Sequence, residues 1–259
     1  MSLYRYKYIK KLLTDNYINL PITLTALKSM GISKQLLYKY VKSGWLEKLG
    51  PGAYQFPKSQ STWQSYLFAL QKQLDKNIHV GGRTALEYYG LGHFLSLAQQ
   101  KIFLFKLREE RLPAWFFTHQ SFDSNIEVIS SNFLPSELGV EQEDFQGLQL
   151  MISSPERAAF EVLYLLDKHH SFKEVLLLSE SFANFRPTLM QNLLEACDSK
   201  KVKRLILYLG KKHQSLWFNK LELIKLDLGT GVIQVAGGGK YDKEFKLSLP
   251  QDYDELENV

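Results

Sequence analysis

Residues 24–57, LTALKSMGISKQLLYKYVKSGWLEKLGPGAYQFP, read as helix, tight turn, helix and then a two-stranded wing. Thr25 to Met30 is a short helical run. Gly31 supplies the backbone freedom that a turn needs, and Ser33 stands where its hydroxyl can cap the next helix. That helix is expected to end near Gly44. Trp45, Leu46 and Leu49 then lead into Gly50, Pro51 and Gly52, a turn cluster with apolar residues on both sides, which is the pattern of a β-hairpin. A helix-turn-helix with a hairpin behind it is a winged helix, so this stretch predicts a DNA-reading head.

With about 100° between successive residues of a helix, Leu37, Tyr40, Val41 and Gly44 fall on one side of the second helix, and Gln35, Tyr38, Lys39 and Lys42 on the other. The second set is what a major groove would meet. Glutamine can make a bidentate contact to an adenine edge, and lysines suit phosphates or guanine. Ser33 and Lys34 at the helix start, and Lys48 just before the wing turn, complete the expected DNA-binding set. Lys48 is placed for the minor groove or the backbone. The alternative is a winged helix that contacts only protein, with the same charges solvating it.

Charge is distributed in the same sense. The 259 residues carry +5 overall, but residues 1–58 hold ten Lys or Arg against two acids, Asp15 and Glu47, a net +8. The remaining 201 residues hold 22 bases and 25 acids, a net −3. A basic block confined to a folded head is the footprint expected of phosphate contacts.

Upstream of the head, Tyr4, Tyr8 and Leu12, with Ile9 and Leu13 beside them, form one stripe of an amphipathic helix expected to pack beneath it. Arg5, Lys7, Lys10 and Lys11 on that helix either touch DNA backbone or form a solvated face. Ile22, Leu24, Leu27 and Met30 are read as the buried face of the first helix of the motif.

Downstream, Phe56, Pro57 and the polar run at 58–62 mark a composition shift, dividing a DNA-binding domain at 1–58 from a larger domain at 59–259. A helix is expected through Trp63, Tyr66, Leu67, Leu70 and Leu74, with Thr62 as a cap. In HVGGRTALEYYGL, residues 79–91, paired glycines precede a short helix. They could cradle phosphate, or serve as a turn that brings the helix close to a sheet. Ile102–Phe105, Trp115–Thr118, Ile126–Ile129 and Leu148–Ile152 read as short strands. Ser154 then caps a helix with Pro155 at its first position, and residues 155–213 read as a helical layer. The tail from Leu216 returns to short strands. The fold class is therefore α+β: an N-terminal winged helix-turn-helix, then a larger mixed domain with a helical layer.

The residues argue against most enzyme chemistries. Six scattered histidines show no HExxH or other ligand spacing, there is no GxSxG elbow, and no P-loop surrounds Gly239-Lys240. The single cysteine, Cys197, excludes an internal disulfide and reads as a core thiol in a protein of a reducing cytoplasm. Asp227, Glu244 and Lys246 form the one candidate enzymatic set, a magnesium-dependent nuclease, but YDKEFKLSL is equally an ordinary alternating strand. No catalytic residue, metal or cofactor is expected. The first residues, MSLYRYKYIKK, are basic and aromatic, and no apolar run approaches about twenty residues, so neither a signal peptide nor a membrane span is expected.

Taken in order, the winged helix with GPGAYQFP at its wing, then GGRTALEYYGL, then ISSPERAAFEVL, resembles the AbiEi-type antitoxins of abortive-infection, type IV toxin-antitoxin systems. The resemblance covers nearly the whole chain. It implies a head that binds operator DNA and represses its own operon, and a C-terminal domain that counters a nucleotidyltransferase toxin. It brings no catalytic residues. Arg83, Glu87, Glu156 and Arg157, at the matching motifs, are read as ion pairs locking helices together. The basic helix at 202–213 is either a second DNA surface, a dock for an acidic partner, or a solvated face.

Overall fold

The computed structural model describes residues 2–92, 101–118 and 125–250, with side chains from residue 7 onward except that of Thr118. Its elements follow the chain as α1 (Ser2–Thr14), β1 (Ile22–Thr23), α2 (Leu24–Ser29), α3 (Lys34–Lys42), β2 (Glu47–Gly50), β3 (Ala53–Gln55) and α4 (Trp63–Phe68). A π-helical turn, Ala69–Gln73, extends α4. Next come β4 (Ile78–Val80), α5 (Gly82–Tyr88), β5 (Lys101–Lys106), α6 (Trp115–Thr118), β6 (Asn125–Ser130), β7 (Val140–Phe145) and β8 (Leu148–Ser153). The helices α7 (Pro155–Tyr164), α8 (Phe172–Ser179), α9 (Pro187–Ala196) and α10 (Lys200–Lys212) follow. The strands β9 (Ile233–Gln234), β10 (Gly239–Asp242) and β11 (Leu247–Pro250) close the described chain.

A five-stranded sheet has the order β6-β5-β4-β8-β7, with β4 and β8 parallel at Val80 and Ile152. Two compact units emerge from the chain's contacts. One comprises Met1–His79, Lys106–Asn125 and Gln142–Met151; the other comprises Val80–Phe105, Ile126–Glu141 and Ile152–Val259.

The first unit contains the winged helix. Antiparallel β1, β3 and β2 form its small sheet, with Ile22 opposite Tyr54 and Thr23 opposite Ala53. Ile9 and Leu12 of α1, Ile22, Leu27, Ile32, Leu37, Tyr40, Leu46 and Phe56 fill its core. Two details correct the reading of the sequence. Leu13 is exposed rather than part of the α1 stripe, and Ile22 is buried on a strand that pairs with the wing, so it does not belong to α2. Tyr4, the first member of that stripe, lies outside the described side chains.

Trp115–Thr118 is helical, correcting the strand expected from its aromatic content. Local β propensity yields to tertiary packing here. The Trp115 indole is buried, stacks obliquely on Tyr66 at 5.9 Å and lies against the wing. A Cβ built on Gly50 would stand 2.7 Å from the Trp115 Cβ and 3.2 Å from its Cα. We therefore expect Gly50→Ala to cost about 1–3 kcal/mol through overpacking, read as a lower urea midpoint at constant m. Gly52→Ala makes a poor control, because its φ of +83° adds strain of its own.

In this first unit the π-helical turn aims two glutamines at backbone. Gln73 accepts from the Thr23 N–H at 2.8 Å and donates to the Pro21 carbonyl at 2.8 Å. Gln71 donates to the Ile78 carbonyl at 2.7 Å and accepts from the Met151 N–H at 3.0 Å.

The second unit is built around α7, which packs on α5, α8, α9 and α10. The expected start of α7 is present: Ser154 caps it, accepting from the Arg157 N–H, with Pro155 in the first turn. The expected helices after it appear as α8, α9 and α10. A β9-β11-β10 sheet follows, with β11 parallel to β9 and antiparallel to β10.

Candidate nucleic-acid interface

The turn between α2 and α3 is made by Gly31, whose φ of +85° suits a residue without a side chain. Ile32 is buried just after it and fixes the direction of entry into α3. The Ser33 hydroxyl accepts from the Leu36 N–H at 3.2 Å, satisfying one of the free donors at the helix start. Leu37 and Tyr40 are buried and Val41 partly so, as the helical spacing predicts. This orientation leaves Lys34, Gln35, Tyr38, Lys39 and Lys42 exposed on the outer face of α3, with Tyr38 at 67 %. Ser33 and Lys48 are exposed too, the latter on β2.

Ion pairing separates this head from the rest of the chain. All nine lysines between residues 7 and 58 are exposed, and among the described residues none of them makes an ion pair. Of the two acids in the head, Glu47 accepts from Gln55 Nε2 at 2.6 Å. Several cations of the second unit are committed internally. Lys200, Lys201 and Lys211 pair with Asp227, Asp167 and Glu244. Buried Arg204 donates to the Leu228, Gly231 and Lys246 carbonyls. In the basic helix at 202–213, Lys211 is thus paired with an acid and Arg204 is bonded to carbonyls of its own unit.

The same contacts engage the residues of the candidate nuclease set. Asp227 is held below the usual carboxylate range by its hydrogen bond from Lys200, Glu244 is bound to Lys211, and Lys246 donates to the Thr230 carbonyl. No group of three His, Cys, Asp or Glu among the described residues is placed to hold a metal ion. Cys197 is a buried core thiol, pushed up to about 11 by burial. His170 is buried against Phe103 and pushed down to about 4, chiefly by burial.

The paired glycines do meet an anion, and it is the protein's own. The carboxylate of Glu161, fully buried on α7, accepts from the Gly82 N–H at 2.8 Å, the Ser153 hydroxyl at 2.8 Å and Arg157 Nε at 2.8 Å. Arg157 Nη1 continues to the Pro135 and Leu138 carbonyls at 2.6 and 2.7 Å. A side chain on Gly81 would collide with the same carboxylate and stand 2.6 Å from Phe105. The expected ion pairs form within this unit, but Arg83 pairs with Glu87 inside α5, Arg157 with Glu161 inside α7, and Glu156 with Arg186. Burial pushes the Glu156 carboxyl up, yet the bonds from the Arg186 guanidinium and backbone outweigh it and hold it below its ordinary range. The lock between the two motifs is Glu161, a residue that the reading of the sequence does not single out. Its signal is an acid four residues after Arg157 inside an otherwise apolar helix.

The head and the two motif regions match family models along the chain. The model for the N-terminal domain of the AbiEi antitoxin transcriptional regulators matches residues 5–97. The model described as transcriptional regulator, AbiEi antitoxin, type IV toxin-antitoxin system matches residues 99–250. The chain belongs to the AbiEi antitoxin family. No curated protein matches it. Among solved structures, the RV2827C protein from Mycobacterium tuberculosis is similar in fold at a TM-score of 0.61 and 13 % identity, over 100 % of this chain and 95 % of that one. This AbiEi-family regulator has no helix, among the described residues, that is long and apolar enough to cross a membrane.

Proposed function

We propose that this AbiEi-family chain is a cytoplasmic repressor and antitoxin whose residues 1–58 bind double-stranded operator DNA through α3 and the wing. In this reading it represses its own operon, and residues 59–259 act against a nucleotidyltransferase toxin. Ser33, Lys34, Gln35, Tyr38, Lys39, Lys42 and Lys48 are the assigned DNA contacts. The observation that carries the reading is that the lysines of the head, Lys34, Lys39 and Lys42 on the outer face of α3 among them, are exposed and make no ion pair among the described residues, whereas several cations of the second unit do. Leaving such charges without partners suits a surface that later meets phosphates.

The test is a gel shift with the fragment upstream of the chain's own operon, where an inverted repeat is expected. Lys39→Ala is expected to reduce the salt slope of binding by about 0.9, the value of one phosphate contact. Gln35→Ala is expected to cost about 1–3 kcal/mol at the adenine it reads and little on unrelated duplexes. Unchanged affinity and slope in both variants would show that α3 is not the reading helix. Absence of specific binding by the parent at moderate salt would assign the head to a protein partner.

A further inference from the structure

We propose that the groove between α3 and the wing is a binding site for a small amphipathic organic anion, one carboxylate or sulfonate on an aryl or acyl body, and that its occupation weakens DNA binding. A cavity of about 380 Å³ lies there, within the first unit. Leu24, Leu37, Val41 and Tyr54 give it apolar walls, and Lys34 from α3 and Lys48 from β2 complete its lining. The volume falls within the range of small-molecule sites, and apolar walls with a few placed charges are their usual lining.

The charge of the guest follows from its rim. Lys34 and Lys48 are exposed and have no acid partner among the described residues, so a neutral or cationic body would leave both without a counter-charge. An anion of one unit with an apolar body meets both requirements together, the lysines taking its head and the walls its body. A phosphate of DNA satisfies only the first, since it brings nothing apolar to Leu24, Leu37 and Val41.

The effect on DNA rests on the reading of α3 as the DNA-binding helix. Lys34, Lys48 and Tyr38 all line the cavity and all belong to the assigned DNA contacts. An ammonium bonded to a guest carboxylate is not available to a phosphate, and a guest beneath Tyr38 alters the face presented to the groove. The two ligands therefore compete, and by linkage each weakens the other equally.

Anilinonaphthalene sulfonate is a suitable probe because it carries one sulfonate on an aryl body and fluoresces when its body leaves water. Titration of the full chain is expected to show one saturable site. Lys34→Gln with Lys48→Gln should weaken it at least fivefold, whereas Lys28→Gln, on α2 and outside the lining, should leave it unchanged. Val41→Trp should fill the cavity and weaken the dye at least tenfold; circular dichroism checks that this variant is folded, and the two exposed lysine substitutions decide the matter if it is not. Phenylnaphthylamine, the uncharged analogue, should be insensitive to the lysine pair. Dye affinity unchanged in the double lysine variant overturns the site. With a labelled operator duplex, dye at ten times its own dissociation constant should raise the apparent DNA Kd about elevenfold, the competitive factor 1 + [L]/Kd. Dye bound at the site with DNA affinity unmoved overturns the coupling. Because the dye titration contains no DNA, failure of the parent to bind any duplex counts against the DNA reading alone, and the dye result still decides whether the site exists.

Discussion

Glu161→Ala is expected to lower the unfolding free energy by about 3–5 kcal/mol, the usual cost of stranding one partner of a buried ion pair. Three donors converge on this carboxylate: the Gly82 N–H, the Ser153 hydroxyl and Arg157 Nε. Alanine leaves all three without an acceptor in a site closed to water, and Arg157, itself buried, retains only its bonds to the Pro135 and Leu138 carbonyls. Glu161→Gln keeps the shape and one acceptor oxygen and should lose less, because the Gly82 and Ser153 donors can still be met in part. Joint replacement by Arg157→Met and Glu161→Leu should cost clearly less than the sum of the single changes, since no charge is then left buried. Urea unfolding of the parent and these variants measures all of this. A loss below about 1 kcal/mol in Glu161→Ala would mean that water or a neighbouring group replaces the carboxylate, and that the two motifs are held together by apolar packing alone.

Arg204→Ala is the second large effect, expected at roughly 3 kcal/mol or more from hydrogen bonds made by a charged donor. The guanidinium meets main-chain carbonyls: Leu228 at 2.7 Å, Gly231 at 2.5 Å and Lys246 at 3.2 Å. It thereby fastens the turn at 228–231 and the start of β11 to α10. The consequence should be local before it is global. Limited proteolysis is expected to cut the variant within residues 226–246 under conditions that leave the parent whole, while α7 and its neighbours stay protected. Arg204→Lys should be cut nearly as readily, because one ammonium cannot reproduce the planar fork of donors. A lysine variant as resistant as the parent would reduce the role of Arg204 to charge.

The head was legible in the sequence because its local signals agree. Gly31, the Ser33 cap, the spacing of Leu37, Tyr40 and Val41, and the Gly50-Pro51-Gly52 turn each specify the same backbone, and each is found in place. The same holds for Ser154 and Pro155 at the start of α7. The central sheet was only partly legible. Its strand β4, Ile78–Val80, has three residues, too few to display a period, and β7, VEQEDF, carries three acids and no buried position, so its place is set by pairing with β8. Trp115 carried β propensity, but its burial against Gly50 and Tyr66 depends on residues far away in sequence. The outward face of α3 could be named from spacing alone. That its lysines stand unpaired while three of α10 are paired with acids could not, because Asp167, Asp227 and Glu244 reach Lys201, Lys200 and Lys211 only through the fold.

The side-chain amide of Gln73 has a consequence beyond holding a turn. In the order β1-β3-β2, strand β1 is an outermost member, and its N–H and C=O groups facing away from β3 are the kind that another polypeptide could pair with. Gln73 supplies one acceptor and one donor to Thr23 and Pro21, imitating a single residue of a neighbouring strand. Strand addition along β1 is thereby blocked at that position. The cap on that edge comes from one glutamine of a π-helical turn some fifty residues further along the chain.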